Sequence, residues 1–154
     1  MKTWIIDLPY DRPPLTGNGI QRMHRMQKGA VTKKLRSTTK QLVTKAGVPA
    51  LAAVKVQLVW LVSTAHRRDE DNVVATLKPI CDGIVDAGVV PDDTPQLMEK
   101  AMPTIANVKK MLRRHPDTGL YLILTELEKP SDRAAAAVEQ LTAAMGQLGK
   151  VMQS

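Results

Sequence analysis

The sequence predicts an α+β fold: a mixed β-sheet of about four strands packed by helices, with an extra helix at the C-terminal end. Three observations predict it. Val54, Val56, Leu58, Trp60 and Val62 alternate strictly with other residues, which is the period of a strand with one buried face. From Asn72 the period changes, and Val73, Leu77, Ile80, Cys81, Ile84 and Val85 form a helical stripe. After Pro130-Ser131 a second helical period begins, once the elements of one core are already complete. A chain of 154 residues suits a single core, so residues 1–129 are expected as one domain and residues 130–154 as an amphipathic helical extension.

The elements follow in order. Trp4, Ile6 and Leu8 alternate with Thr3, Ile5 and Asp7, a short strand. Residues 9–19 are rich in Pro and Gly and read as a loop. Residues 29–46 read as a basic helix. Val31, Leu35, Leu42 and Val43 face the core, Lys33, Lys34, Arg36, Lys40 and Lys45 lie on the exposed side, and Gly47 and Pro49 stop it. Residues 53–63 are a strand, Asn72 to Ala87 a helix ended by Gly88, and Pro91-Asp92-Asp93 a turn. Residues 98–112 read as an irregular strand broken at Pro103. Leu120, Leu122 and Leu124 make residues 119–128 the last strand, and its two apolar faces place it centrally in the sheet. Ser131 is expected to cap the final helix, with apolar positions at Ala135, Val138, Leu141, Ala144, Met145 and Leu148. Such an appendage packs on its own domain or on a second subunit more often than it does chemistry.

Charge is distributed unevenly. The formal net charge is +7 and the pI about 9.7, which favours a polyanionic partner. Residues 1–45 hold ten Lys or Arg against two Asp, whereas residues 69–99 hold eight Asp or Glu against one Lys. Carboxylates repel phosphates, so an acidic segment inside a nucleic-acid-binding protein calls for divalent cations to reconcile the two charges. No stretch approaches the roughly 20 apolar residues of a membrane span. The N-terminus lacks the basic-then-apolar layout of a secretory signal. One cysteine, Cys81, excludes an internal disulfide; its neighbours suggest a buried helical position, and a reducing, cytoplasmic setting is expected.

The acidic segment runs His66-Arg67-Arg68-Asp69-Glu70-Asp71-Asn72, then Lys78, Asp82 and Pro91-Asp92-Asp93. Asp69 and Asp71 stand two apart where a strand ends. In an extended chain both side chains point to one side, where they can converge on one cation. Magnesium takes hard oxygen ligands and keeps several waters, so two or three carboxylates suffice. Lys78 is the only base within residues 69–99 and falls two helical turns after Asp71. A blander reading stands beside this one. Asp-x-Asp-Asn before a helix also suits an N-cap, and Asp92-Asp93 suits an ordinary turn. An EF-hand loop does not fit, because its sixth position is Val74 and its twelfth Ile80. A zinc site does not fit either, with His24, His66 and His115 scattered along the chain.

Taken together, Arg68-Asp69-Glu70-Asp71-Asn72, Lys78, Asp82-Gly83-Ile84, Ala87-Gly88-Val89 and Asp92-Asp93 resemble the signature of the RusA endodeoxyribonucleases. These are Holliday junction resolvases, often carried by phages and prophages. The resemblance covers residues 2–128, including the Pro-rich loop with Asn18. It implies a homodimer with a mixed sheet and one Mg²⁺-dependent site per subunit, Mn²⁺ being a possible substitute. The substrate implied is branched DNA such as the four-way junction, cut by paired phosphodiester hydrolysis. Asp69, Asp71 and Asp93 match the metal-binding aspartates of the family, and Lys78 matches its catalytic lysine. One departure concerns that lysine. It often follows the second Asp by four residues in the family, and here it follows by seven, about 4.5 Å further along the helix axis.

For DNA, Arg67 and Arg68 flank the acidic segment, and Lys33, Lys34, Arg36 and Lys40 lie on the basic helix. Their expected role is phosphate contact, which gives affinity without sequence preference. Aromatic residues make up only 3% with no Phe, which disfavours a base-stacking single-strand binder. Two other readings compete with the nuclease: a branched-DNA-binding protein of the same fold without cleavage, and a Mg²⁺-dependent phosphohydrolase acting on nucleotides. The last leaves the basic N-terminal region unexplained.

Overall fold

The computed structural model describes residues 1–108, 117–130 and 132–152. The fold is α+β, a mixed sheet of five strands packed by helices. Strand β1 (Thr3–Leu8) leads through a loop to helix α1 (Gly17–Arg22) and helix α2 (Arg25–Lys45). Strand β2 (Ala53–Val62) is followed by one turn of 3₁₀ helix (Glu70–Val73) and helix α3 (Val74–Asp86). Strands β3 (Met98–Lys100), β4 (Thr104–Asn107) and β5 (Gly119–Leu127) complete the sheet, and helix α4 (Arg133–Met152) follows.

Strand β5 lies between β1 and β2 and is antiparallel to both, the central place that its two apolar faces predict. On the far edge of β2, β3 and β4 both pair parallel to it, Val54–Val56 with Met98–Lys100 and Val59–Val62 with Thr104–Asn107. They are one irregular strand interrupted around Pro103, as the sequence suggests. The interruption makes the count five rather than about four. Residues 109–112 of that expected strand lie outside the described residues.

The core sits between one face of the sheet and helices α2 and α3. Ile6, Leu8, Val54, Val56, Leu58, Leu120, Leu122 and Leu124 point into it from the strands. Leu35, Val43, Leu77, Ile80, Cys81 and Ile84 meet them from the helices. Burying each such aliphatic side chain contributes about 1.5–3 kcal/mol. Cys81 is fully buried, and that burial pushes its thiol up to about 12, so it is a core residue and no nucleophile. The other sheet face stays open, with Ile5 70% exposed.

Three contacts fix the layer. Helices α2 and α3 approach so closely at Gly83 that an added Cβ would lie 2.6 Å from the Arg36 carbonyl oxygen and 2.8 Å from Thr39 Cβ. Beyond this crossing, the Arg36 guanidinium donates to Asp86 at 2.8 Å. The loop after β1 is pinned from beneath by Thr76. Its buried hydroxyl donates to the Leu15 carbonyl at 2.6 Å and accepts the Leu15 N–H at 3.2 Å.

Some boundaries differ from the sequence reading. Helix α2 starts at Arg25 instead of 29, because His24 Nδ1 accepts the Met26 N–H and caps a turn that has no apolar stripe. Helix α1 occupies residues expected as loop. Thr16 caps it through a bond from the Gly19 N–H at 3.0 Å, a local interaction strong enough to order a glycine-rich turn. Ser131 falls outside the described residues; at the start of α4 it is Asp132 that accepts the Ala135 N–H at 3.1 Å.

Candidate functional site

The acidic segment follows directly from the end of β2. After Val62 the chain leaves the sheet, and residues 63–69 form an irregular arch that leads into the 3₁₀ turn. Arg68 shapes this arch. Its guanidinium donates to the Thr64 carbonyl at 3.1 Å, the His66 carbonyl at 3.1 Å and the Thr64 hydroxyl at 2.6 Å. It also lies 5.2 Å from the centroid of the Trp60 ring, a cation–π distance. The Trp60 indole N–H in turn donates to the Asp11 carbonyl at 3.0 Å. Arg68 thus spends most of its donors on the protein and serves first as the brace of the arch.

The arch, the 3₁₀ turn and the end of β4 enclose an open polar cleft of about 810 Å³. Asp69, Glu70, Asp71, Asn72, Asn18 and Asn107 line it, with His66 and Thr64. Asn107 arrives because β4 runs parallel to β2 and pairs with Val62 at the same end. Asn18 arrives because Gly17 lets α1 sit against the turn, where an added Cβ would meet Asn72 Oδ1 at 3.1 Å.

The three carboxylates of the turn are not equivalent. Asp69 holds the N-cap position, yet its side chain makes no capping hydrogen bond. Its nearest cation is Arg67 at 3.8 Å, whose side chain is 91% exposed. A pair so open to water contributes little, about 0–1 kcal/mol at most. Glu70 is structural: its carboxylate accepts the Ile105 N–H at 3.1 Å and ties β4 to the turn. Asp71 is exposed, and among the described residues no side chain bonds or pairs with its carboxylate. The N-cap reading of the motif therefore fails for its side chains. For Asp92 the turn reading holds, since its carboxylate accepts the Asp93 N–H at 2.8 Å.

Lys78 and Asp93 lie elsewhere. Lys78 Nζ donates to Asp82 at 2.8 Å and to Asp93 at 2.8 Å, and Lys100 Nζ donates to the same Asp93 oxygen at 2.9 Å. The hydrogen bond to Asp82, then that to Asp93, holds the Lys78 ammonium charged above the ordinary lysine range. The bonds from Lys78 and then Lys100 draw the Asp93 carboxyl down to about 2. Topology explains the separation. Lys78 is roughly 10 Å along the helix axis from Asp71 at 1.5 Å per residue. Asp93 precedes β3, which pairs with the start of β2, whereas the cleft lies at the other end of β2.

The convergence of Asp69, Asp71 and Asp93 expected from the sequence is thus not formed, and among the described residues no three His, Cys, Asp or Glu are grouped to hold a metal ion. What the cleft brings together is Asp69 and Asp71, with the side chains of Asn18, Asn72 and Asn107 lining it as well. This set of hard oxygen donors without thiolate fits a Mg²⁺ ion that keeps several waters.

Of the DNA-contact candidates, Arg67 stands fully in solvent beside Asp69, and Lys33, Lys34 and Lys40 are exposed on α2. Arg36 is committed to Asp86. Lys100 escaped the sequence reading because its window of charges closed at residue 99. Its place beside Asp93 depends on the parallel pairing of β3 with β2, which no local pattern reveals. Among the described residues no helix is long and apolar enough to cross a membrane. The sequence matches no protein-family model and no curated protein.

Proposed function

We propose that this chain is a Mg²⁺-dependent endodeoxyribonuclease that cuts branched DNA, the four-way junction above all, as a homodimer with one site per subunit. The observation that carries the reading is the state of Asp69 and Asp71. Two carboxylates line one open cleft of a basic protein, neither engaged in capping nor closely paired. Carboxylates repel a phosphate backbone, so their presence on a nucleic-acid surface is consistent with a divalent cation between them and the phosphate.

In this reading Asp69 and Asp71 hold the ion, which supplies Lewis acidity to the scissile phosphate. Arg67 holds a neighbouring phosphate, and Lys33, Lys34 and Lys40 add sequence-independent affinity along α2. Lys78 acts as a fixed positive charge rather than as a base, because its two carboxylate partners keep it protonated. Asp93 joins the metal set only when its pairs with Lys78 and Lys100 open. Backbone contacts read shape, so junction preference would come from the spacing of two dimer-related sites.

A second reading has an observation of its own. With Asp93 held by two lysines, the same surface would bind branched DNA without cutting it. One experiment separates the two. The protein is mixed with a synthetic four-way junction or a linear duplex, in Mg²⁺ or in EDTA. Paired nicks near the branch that require Mg²⁺ and fall at least about 100-fold in Asp71→Asn support the nuclease. Tight junction binding with no cleavage in Mg²⁺ or Mn²⁺ supports the binding protein.

A further inference from the structure

Helix α4 leaves the domain with its apolar side uncovered. Every residue from Arg133 to Val151 is exposed, and Val138, Leu141, Met145 and Leu148 are 61–63% exposed. These four are separated by three, four and three residues. That is a heptad seam, with Val138 and Met145 at a and Leu141 and Leu148 at d, and Ala134 extends it as the preceding d. Of the large apolar side chains exposed on α4, only Val151, at g near the C-terminal end, lies off a and d, a narrower stripe than a helix laid on a globular core shows.

We infer that α4 is a self-association helix whose partner is α4 of a second copy of this chain. Three features select that partner. The positions flanking the seam are Ala135, Ala137, Thr142, Ala144, Gly149 and Val151, uncharged and small apart from Val151, so nothing there repels an identical helix and the backbones can approach closely. Val138 at one a position, with Leu at both d positions, matches the pattern that favours two strands, and the unbranched Met145 fills the other a position. The polar side carries Glu139, Gln140 and Gln147, with Arg133 and Lys150 only near the ends. It lacks the basic face that a lipid surface or a DNA backbone would select.

The area fits a weak dimer. At about 25 cal/mol per Å², a side chain worth about 1.5–3 kcal/mol covers roughly 60–120 Å². Eight such side chains from two copies bury on the order of 500–1,000 Å², and the alanines add to this. That reaches the lower end of specific interfaces, so association in the micromolar range is expected. The inference does not depend on the nuclease reading.

Sedimentation velocity on the full chain over roughly 5–200 µM tests it, a range chosen to bracket a micromolar Kd. The wild-type mass should rise with concentration, and Leu141→Glu/Leu148→Glu should remove one association step, halving the mass at the top concentration. Gln140→Glu on the polar side should leave the mass unchanged, and circular dichroism should show that both variants keep a wild-type melting transition of the domain. A wild-type chain that stays monomeric throughout, as it would if α4 folded onto its own domain, overturns the inference. So does a double variant that keeps the wild-type mass, or a Gln140→Glu effect as large as that of the double variant. Leucine-dependent binding to phosphatidylcholine vesicles without self-association overturns it too.

Discussion

Thr76→Val isolates one interaction that holds the candidate cleft in place. Thr76 is 0% exposed and Leu15 is buried above it. The hydroxyl serves as donor to the Leu15 carbonyl and as acceptor for the Leu15 N–H. Valine fills the same volume but offers neither. Each backbone group left without a partner costs about 1–3 kcal/mol. Relief from burying the hydroxyl itself offsets about 1 kcal/mol of that total, so the expected loss is about 1–5 kcal/mol. In a domain of this size 1 kcal/mol corresponds to about 2–4 °C, and the melting midpoint should fall by about 2–20 °C. Thr76→Ser keeps both bonds and gives up one methyl, about 1 kcal/mol. Circular dichroism melts of the three proteins give the ranking, and amide exchange at Leu15 gives its location. The loop from Leu15 runs through the Thr16 cap into α1 and Asn18, so exchange at Leu15 and Gly19 should accelerate together. A midpoint lowered by less than about 2 °C, with Leu15 still protected, would refute the reasoning, since it would mean that water or a shifted backbone satisfies those groups.

Gly83→Ala places a methyl 2.6 Å from the Arg36 carbonyl and 2.8 Å from Thr39 Cβ. The helices must separate, at a cost of about 1–3 kcal/mol or more, readable as a lower urea midpoint. Glu70→Ala removes the acceptor of the Ile105 N–H and should speed amide exchange at Ile105, whereas Glu70→Gln, which keeps an oxygen acceptor, should not. Asp93 gives a pH dependence. Its folded value of about 2 lies below the ordinary carboxylate value of 3.8, so it adds stability above pH 4 that disappears as pH falls towards 2. Melting midpoints between pH 5 and pH 2 should fall less steeply in Asp93→Asn than in the wild type.

Much of the fold was legible because it is written in local periods. The alternation of Val54 to Val62 and of Leu120 to Leu124, and the stripe from Val73 to Ile84, each report one buried face, and the structure buries those faces together. What was not legible depends on pairing across the chain or on single capping bonds. The start of α2 at Arg25 and the whole of α1 rest on His24 and Thr16 as caps, without an apolar period to announce them. Within the site, Asp69, Glu70 and Asp71 all line one cleft because the chain tightens into a 3₁₀ turn there, not because an extended chain points residues two apart to one side; the relation is still a local one. Asp93 is placed by the return of the chain from α3 into a parallel strand. Its motif position beside Gly88 and Pro91 says nothing about which end of β2 it will meet.

The charge balance of the two clusters carries the argument about the metal further. Lys78 and Lys100 face Asp82 and Asp93, two cations for two carboxylates at 2.8–2.9 Å. That group is neutral as it stands and gains nothing electrostatically from a divalent ion. In the cleft, Glu70 is engaged with β4 and Arg68 with Thr64 and His66, so among the described residues three carboxylates stand against two arginines, and Asp69 and Asp71 have only the solvent-exposed Arg67 beside them. An approaching phosphate would meet a net negative patch there, and a divalent cation would reverse its sign. In the proposed reading the cation therefore belongs to Asp69 and Asp71. Recruiting Asp93 would strip two lysines of their shared partner, which a DNA phosphate arriving at Lys78 and Lys100 would offset. Metal affinity without DNA should accordingly depend on Asp71 and hardly on Asp93. Calorimetric titration of Mg²⁺ or Mn²⁺ into wild type, Asp71→Asn and Asp93→Asn checks the order, and equal losses in the two variants would place Asp93 in the resting metal set and overturn this division.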